Sequence, residues 1–192
     1  MIPALWTSPP LTAEESARWT TSEERAAAAG FVSERRRAEF LTWRAVVRRE
    51  LGDDVGIAYD ALGAPVLTNR AVHISVAHCA GRIAVCASPE RCAVDIEPAT
   101  RDFRRAASRY LTPEEEALSD DPLLPGIVWC AKETLYKYAG RRELDFRRDL
   151  HVVRLDLAAG TLAGRIGNGE PDRKSTRLNS SHTDISRMPS SA

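Results

Sequence analysis

The chain reads as an α+β protein, and three features of its sequence say so. One long amphipathic helix comes early, a run of short apolar strands follows, and further helices then lead into a hairpin. With 192 residues, 43% of them hydrophobic, the chain can bury one large core or two small ones.

The elements follow in order. Residues 1–22 read as irregular around Pro9 and Pro10, with a helix start at Thr12 ahead of Glu14 and Glu15. Ser22-Glu-Glu-Arg25 opens a second helical stretch. From Ser33 to Leu51, apolar Phe40, Leu41, Trp43, Val46, Val47 and Leu51 recur at helical spacing. Ser33 suits the N-cap, and Gly52 stands where a terminating glycine belongs. Ile57-Ala-Tyr-Asp60 then leads to a turn through Gly63, Ala64 and Pro65.

Three strands, 73–77, 82–87 and 92–97, are separated by Ala80-Gly81 and Ser88-Pro89-Glu90 and predict an antiparallel meander. Residues 101–110 read as helix. Thr112-Pro113-Glu114-Glu115 combines an N-cap, an early proline and a capping-box glutamate. Pro122 and Pro125 are expected to break that helix. Ile127 to Tyr138 forms the next one, ended by Gly140, and residues 151–157 and 161–166 predict a hairpin around Ala159-Gly160.

The stretch from Asp172 to His182 resembles the in-frame translation of a sequencing adapter, and Ser186 to Ala192 resembles its continuation in another frame. Residues 172–192 are therefore expected to be a non-native, disordered tail, with the true C-terminus lost near Pro171. Overall the chain carries 27 basic and 27 acidic residues. The tail holds four of the former and two of the latter, so the remainder is slightly acidic, which argues against a dedicated nucleic-acid binder. Cys79, Cys86, Cys92 and Cys130 show no C-x-x-C spacing. They read as small buried hydrophobes rather than zinc ligands. No charged-then-apolar leader or membrane-length apolar run occurs, so a soluble cytoplasmic protein is expected.

Chemistry concentrates in two segments. Asp95 and Glu97 close the run that begins at Cys92, and on a strand their side chains would share one face. Two like charges that close repel unless a cation or base sits between them, and Mg²⁺ suits one or two carboxylates joined by phosphate oxygens. Trp129, Lys132, Glu133, Tyr136 and Lys137 fall at i, i+3, i+4, i+7 and i+8 of one helix, on or beside one face. Singly, each feature is ordinary: an acidic sheet edge, or a surface Glu133–Lys137 pair.

Jointly, they resemble the signature of the 4′-phosphopantetheinyl transferases, in the surfactin-synthetase-activating type and its small bacterial members. The resemblance runs from about Ser33 to Gly164. It comprises the arginine-rich helix, the G-x-P turn at Gly63-Ala64-Pro65, the S-x-x-H segment from Ser75 to His78, D-I-E from Asp95 to Glu97, and W-x-x-K-E-x-x-x-K from Trp129 to Lys137. Asp145-Phe146 through Leu150-His151-Val152 fits as well. Three departures stand out: Ala64 where a lysine is usual, Ala77 where serine is common, and Ala93 where glycine is frequent.

The resemblance implies a pseudo-dimer of two α+β halves, 1–98 and 99–171, with the second incomplete and coenzyme A in the cleft between them. Asp95, Glu97 and Glu133 would ligate Mg²⁺ with the coenzyme A pyrophosphate. Lys137, with Lys132, would neutralise charge on the leaving 3′,5′-adenosine bisphosphate. Glu133, or a metal-bound water, would take the proton of a carrier-protein serine, whose oxygen attacks the β-phosphorus. His78 would contact the 3′-phosphate, with Arg37 and Arg44 as candidates for the same anion and Ser75 beside it. The implied partners are coenzyme A and an apo acyl or peptidyl carrier protein, with no nucleic acid and no membrane, and the protein would act as a monomer. Two other readings compete with the transferase. A non-catalytic member that only binds coenzyme A or carrier protein is favoured slightly by Ala64 and Ala77 and disfavoured by the intact Asp95, Glu97, Glu133 and Lys137. A Mg²⁺-dependent nuclease is disfavoured by helix-borne lysines and the absence of a basic excess.

Overall fold

The computed structural model of the chain describes residues 3–167 and the backbone of 177–179. It divides into two units, Met1–Arg101 with Tyr136–Arg142, and Asp102–Leu135 with the chain from Glu143 onward. The change of unit falls between Arg101 and Asp102, against an expected 98/99, and Tyr136–Arg142 is assigned to the first unit.

The first unit is built on β1 (Ala4–Ser8), β4 (His73–Cys79) and β5 (Arg82–Ser88), an antiparallel sheet in the order β1-β5-β4. A smaller hairpin joins β2 (Ile57–Tyr59) and β3 (Pro65–Leu67). Three helices precede it: α1 (Ala13–Ala17), α2 (Ser22–Ala29) and α3 (Glu34–Leu51). Ser33 Oγ accepts from the Arg36 amide, and Gly52, at φ +119°, returns its N–H to the Arg48 carbonyl. Helix α3 then lays Trp43, Val46 and Val47 against Ile74, Ile83 and Val85 of the sheet. Those buried side chains are the core of the unit.

Two sequence expectations change here. The N-terminus is not irregular throughout, because Ala4–Ser8 fills an edge of β5 in register from Ala4↔Ala87 to Ser8↔Ile83. Conversely, the meander has two strands, not three: residues 92–97 join no ladder. Side chains hold them instead. The Val94 amide donates to Ser75 Oγ at 3.1 Å, and the Cys92 thiol donates to the His73 carbonyl at 3.4 Å.

Helix α2 also carries an ion pair that ties the helices together. Glu24 completes a capping box with Thr21, then accepts both Arg48 terminal nitrogens at 2.7 and 2.8 Å. Burial alone would raise the Glu24 carboxyl, but the Arg48 bonds, the Thr21 amide and the nearby Arg44 charge outweigh it and hold it low. A depressed folded-state value gives stability that is present above the ordinary glutamate range and lost as pH falls through the folded value. Glu24→Gln is expected to cost about 3 kcal/mol near neutral pH. In urea titrations the gap from wild type should close below about pH 4; a gap independent of pH would contradict this.

The second unit contains a 3₁₀ turn (Arg104–Arg109), α4 (Pro113–Glu116), most of α5 (Leu124–Ala139), and a sheet of β6 (Leu150–Asp156), β7 (Thr161–Ile166) and β8 (Arg177–Asn179). The expected helix at 101–110 is thus a short 3₁₀ turn. Pro125 does not precede α5 but sits in its first turn, where a missing N–H leaves no bond unmade. The hairpin forms as expected, with a bulge at Val152/Arg154. Strand β8 falls within the tail expected to be disordered. It pairs with β7 from Thr161↔Asn179 to Ala163↔Arg177, since a backbone ladder makes few demands on side chains. The rest of that tail lies outside the described residues.

Ile127, Val128 and Ala131 of α5 pack on Tyr110, Leu111, Val152 and Leu162. Trp129 lies between two rings, edge-on to Tyr110 at 5.1 Å and stacked on Phe146 at 5.4 Å. Gly164 lets β7 approach α5, for a Cβ there would come within 2.7 Å of Leu135. Among the described residues, no helix is long and apolar enough to cross a membrane.

Candidate functional site

The site begins with the segment at 92–97. Lacking a ladder, it is fixed by the Ser75 and Cys92 bonds, and it presents Asp95 to Lys137 in the last turn of α5. Lys137 Nζ donates to Asp95 Oδ1 at 2.9 Å and to the Val94 carbonyl at 3.0 Å. The pair is only partly screened, with side-chain exposures of 11% for Asp95 and 31% for Lys137. Asp95 Oδ2 is buried and has no hydrogen-bond partner. A buried carboxylate oxygen left unmatched is costly, so this atom suits a further cation or proton donor. Glu97 pairs with Arg101. Burial, then the charges of Glu97 and Asp95, raise the Cys79 thiol, which places that thiol in the field of both acids.

Of the other residues named from sequence, several have different work. Arg44 is buried against Phe40 and Trp43, with its guanidinium carbon 3.4 and 4.1 Å from their ring centroids. It donates to Tyr59 Oη at 2.7 Å and lies 3.5 Å from Glu24. It is a core cation, not one presented to a phosphate. Burial lowers its pKa, opposed by Tyr59 and Glu24.

Lys132 is likewise corrected. Its side chain is 0% exposed and pairs with Glu115 at 2.7 Å in the second unit, with further bonds to the Tyr110 and Phe146 carbonyls. Burial lowers this lysine, with Glu115 pulling the other way. The two lysines lie about 140° apart around α5, and depth in the core separates them. Ser75 is also buried and is committed to the Val94 amide.

His78 is half exposed, with Nδ1 3.5 Å from Glu39 Oε2; Glu39 is buried and also faces Arg35. Arg37 donates to the Phe31 carbonyl at 3.0 Å, and its Nε is buried without a partner. Glu133 is half-buried on α5, within the second unit. Among the described residues, no group of three or more His, Cys, Asp or Glu is gathered to hold a metal ion. Of the expected metal set, Asp95 and Glu97 belong to the first unit and Glu133 to the second. The unmatched Asp95 oxygen is a feature that fits a hard cation.

A cavity of about 580 Å³ opens in the first unit beside this pair, with Lys137 in its wall. Ala64, Pro65, Val72 and Ile74 give it apolar surface, while Arg70, Arg91, Arg141 and Arg142 bring positive charge. Asp60 is the lone acid among its lining residues. These four arginines were not picked out from the sequence. The Arg141-Arg142 doublet directly after Gly140 was the available signal, because cations gather at helix C-termini. Where the G-x-P turn has Ala64 instead of a cation, positive charge thus enters from other elements.

An α+β protein with a cation-lined, partly apolar cavity is suited to a phosphorylated organic anion. Residues 91–184 match the model of the 4′-phosphopantetheinyl transferase superfamily. No curated protein matches the chain significantly.

Proposed function

We propose that the protein transfers 4′-phosphopantetheine from coenzyme A to a serine of an apo acyl or peptidyl carrier protein. The observation that carries this reading is the Lys137–Asp95 pair, with its unmatched carboxylate oxygen, in a unit whose adjoining cavity is cationic and partly apolar. Arg70, Arg141 and Arg142 of the cavity would oppose the phosphate charges, and its apolar surface would cover uncharged parts of the ligand. Lys137 would neutralise charge on the leaving group. Asp95, Glu97 and Glu133 would hold Mg²⁺, which supplies charge against the pyrophosphate.

In the transfer, the serine oxygen forms a bond to the β-phosphorus and the bond from that phosphorus to the bridging oxygen breaks. The serine proton passes to Glu133, and 3′,5′-adenosine bisphosphate departs with the electron pair. Positioning and charge neutralisation supply most of the rate in such transfers. His78 and Arg37 remain the proposed contacts for the 3′-phosphate.

Mass spectrometry of apo carrier proteins incubated with coenzyme A, Mg²⁺ and this protein tests the proposal. The expected result is a carrier heavier by one phosphopantetheine. Coenzyme A binding by calorimetry without any transfer, across several carriers, would select the non-catalytic alternative.

A further inference from the structure

In the first unit, Arg91 crosses the end of α5 at close quarters. Its Nη1 donates to the Ala139 carbonyl at 3.4 Å, and its Cζ lies 5.9 Å from the Tyr138 ring centroid. Gly140, at φ +57°, is the next residue along α5. A Cβ built there would come within 2.0 Å of Arg91 Nη2 and 2.9 Å of Cζ. A side chain at 140 and this placement of Arg91 exclude one another, and the left-handed backbone favours glycine independently.

The chain from Arg91 leads directly into the segment that joins no ladder, and Asp95 within it meets Lys137 of the same terminal turn. The segment is therefore fastened to α5 at two points, by Arg91 to a terminal carbonyl and by Lys137 to Asp95 and Val94. A cation placed on exposed C-terminal carbonyls is favourable in its own right. One anchor would leave the segment free to pivot, whereas two on the terminal turn set its register.

We propose that Arg91 is a positioning residue for the Asp95–Lys137 pair and that Gly140 is the position that admits it. The kinetic part of the proposal rests on the transferase reading, while the structural part does not. Hydrogen exchange followed by mass spectrometry on the full chain reads the anchoring without activity. Arg91→Ala is expected to speed exchange of peptides covering 92–97 about tenfold, with α3 peptides unchanged. Gly140→Ala should do the same by displacing Arg91. Added to Arg91→Ala, it should change exchange less than about twofold further, since both act through one contact. Arg91→Lys, which keeps the cation, should recover part of the protection and covers the case where Arg91→Ala does not fold.

In the transfer assay, Arg91→Ala should lower kcat about tenfold with KM for coenzyme A nearly unchanged. Unchanged exchange at 92–97, full additivity of the two substitutions, or a loss confined to KM would each overturn the proposal. If wild type transfers nothing, the transferase reading fails, and the exchange data still decide the role of Arg91.

Discussion

Replacing Asp95 with asparagine is expected to lower the rate of phosphopantetheine transfer about a hundredfold or more. The substitution keeps size and shape but removes the charge that meets Lys137 Nζ at 2.9 Å. It also replaces one carboxylate oxygen by an amide nitrogen, so whichever oxygen faces a cation in the working protein is weakened as a ligand. The unmatched Oδ2 means that the native site tolerates a cost that a purely structural aspartate would not need. The measurement is transfer to an apo carrier at saturating coenzyme A, with thermal melting as the control for folding. A rate within about threefold of wild type would show that Asp95 is not part of the chemistry.

A comparable effect, on stability instead of activity, is expected from Glu115→Ala. This carboxylate completes the Thr112 capping box, accepts the Val152 amide at 2.8 Å and pairs with fully buried Lys132. Its removal strands an ammonium group in the core of the second unit and should cost about 3–5 kcal/mol in urea unfolding. The pH dependence has a definite sign. Burial already lowers Lys132, and loss of Glu115 removes an opposing contribution. The unfolded chain then binds the proton more tightly than the folded one, so stability of the variant rises with pH. Its deficit should narrow as pH climbs toward the ordinary lysine range. Replacing both residues by apolar ones of similar volume should be far milder than replacing Glu115 alone. Equal losses from the single and double substitutions would contradict the pairing.

Local signals accounted for much of the architecture. Ser33 and Gly52 bound α3 as their chemistry requires, and Thr112 with Glu115 forms the capping box its spacing predicts. The central strands at 73–79 and 82–88 follow from apolar runs flanked by turns. What could not be read was partnership at a distance. Residues 92–97 have a strand-like pattern, but whether a segment enters a ladder depends on a free edge beside it. Ala4–Ser8 does occupy such an edge despite its proline-flanked surroundings. Site residues divide in the same way. Lys137 and Asp95, forty-two positions apart, come together in a pair that neither motif spells out. Arg44 and Lys132 carry the same formal charge on equally helical segments, yet lie inside the cores of their units. Period locates a face; it does not say how deep that face goes.

The ring contacts of Trp129 give the protein an optical consequence. Trp6, Trp19 and Trp43 belong to the first unit, and Trp129 is the lone tryptophan of the second. Its emission, shaped by Tyr110 and Phe146, would report the opening of that unit alone, while Trp129→Phe would leave a signal from the first. Comparing the two chains during denaturation separates the melting of each unit with ordinary fluorescence and no attached dye.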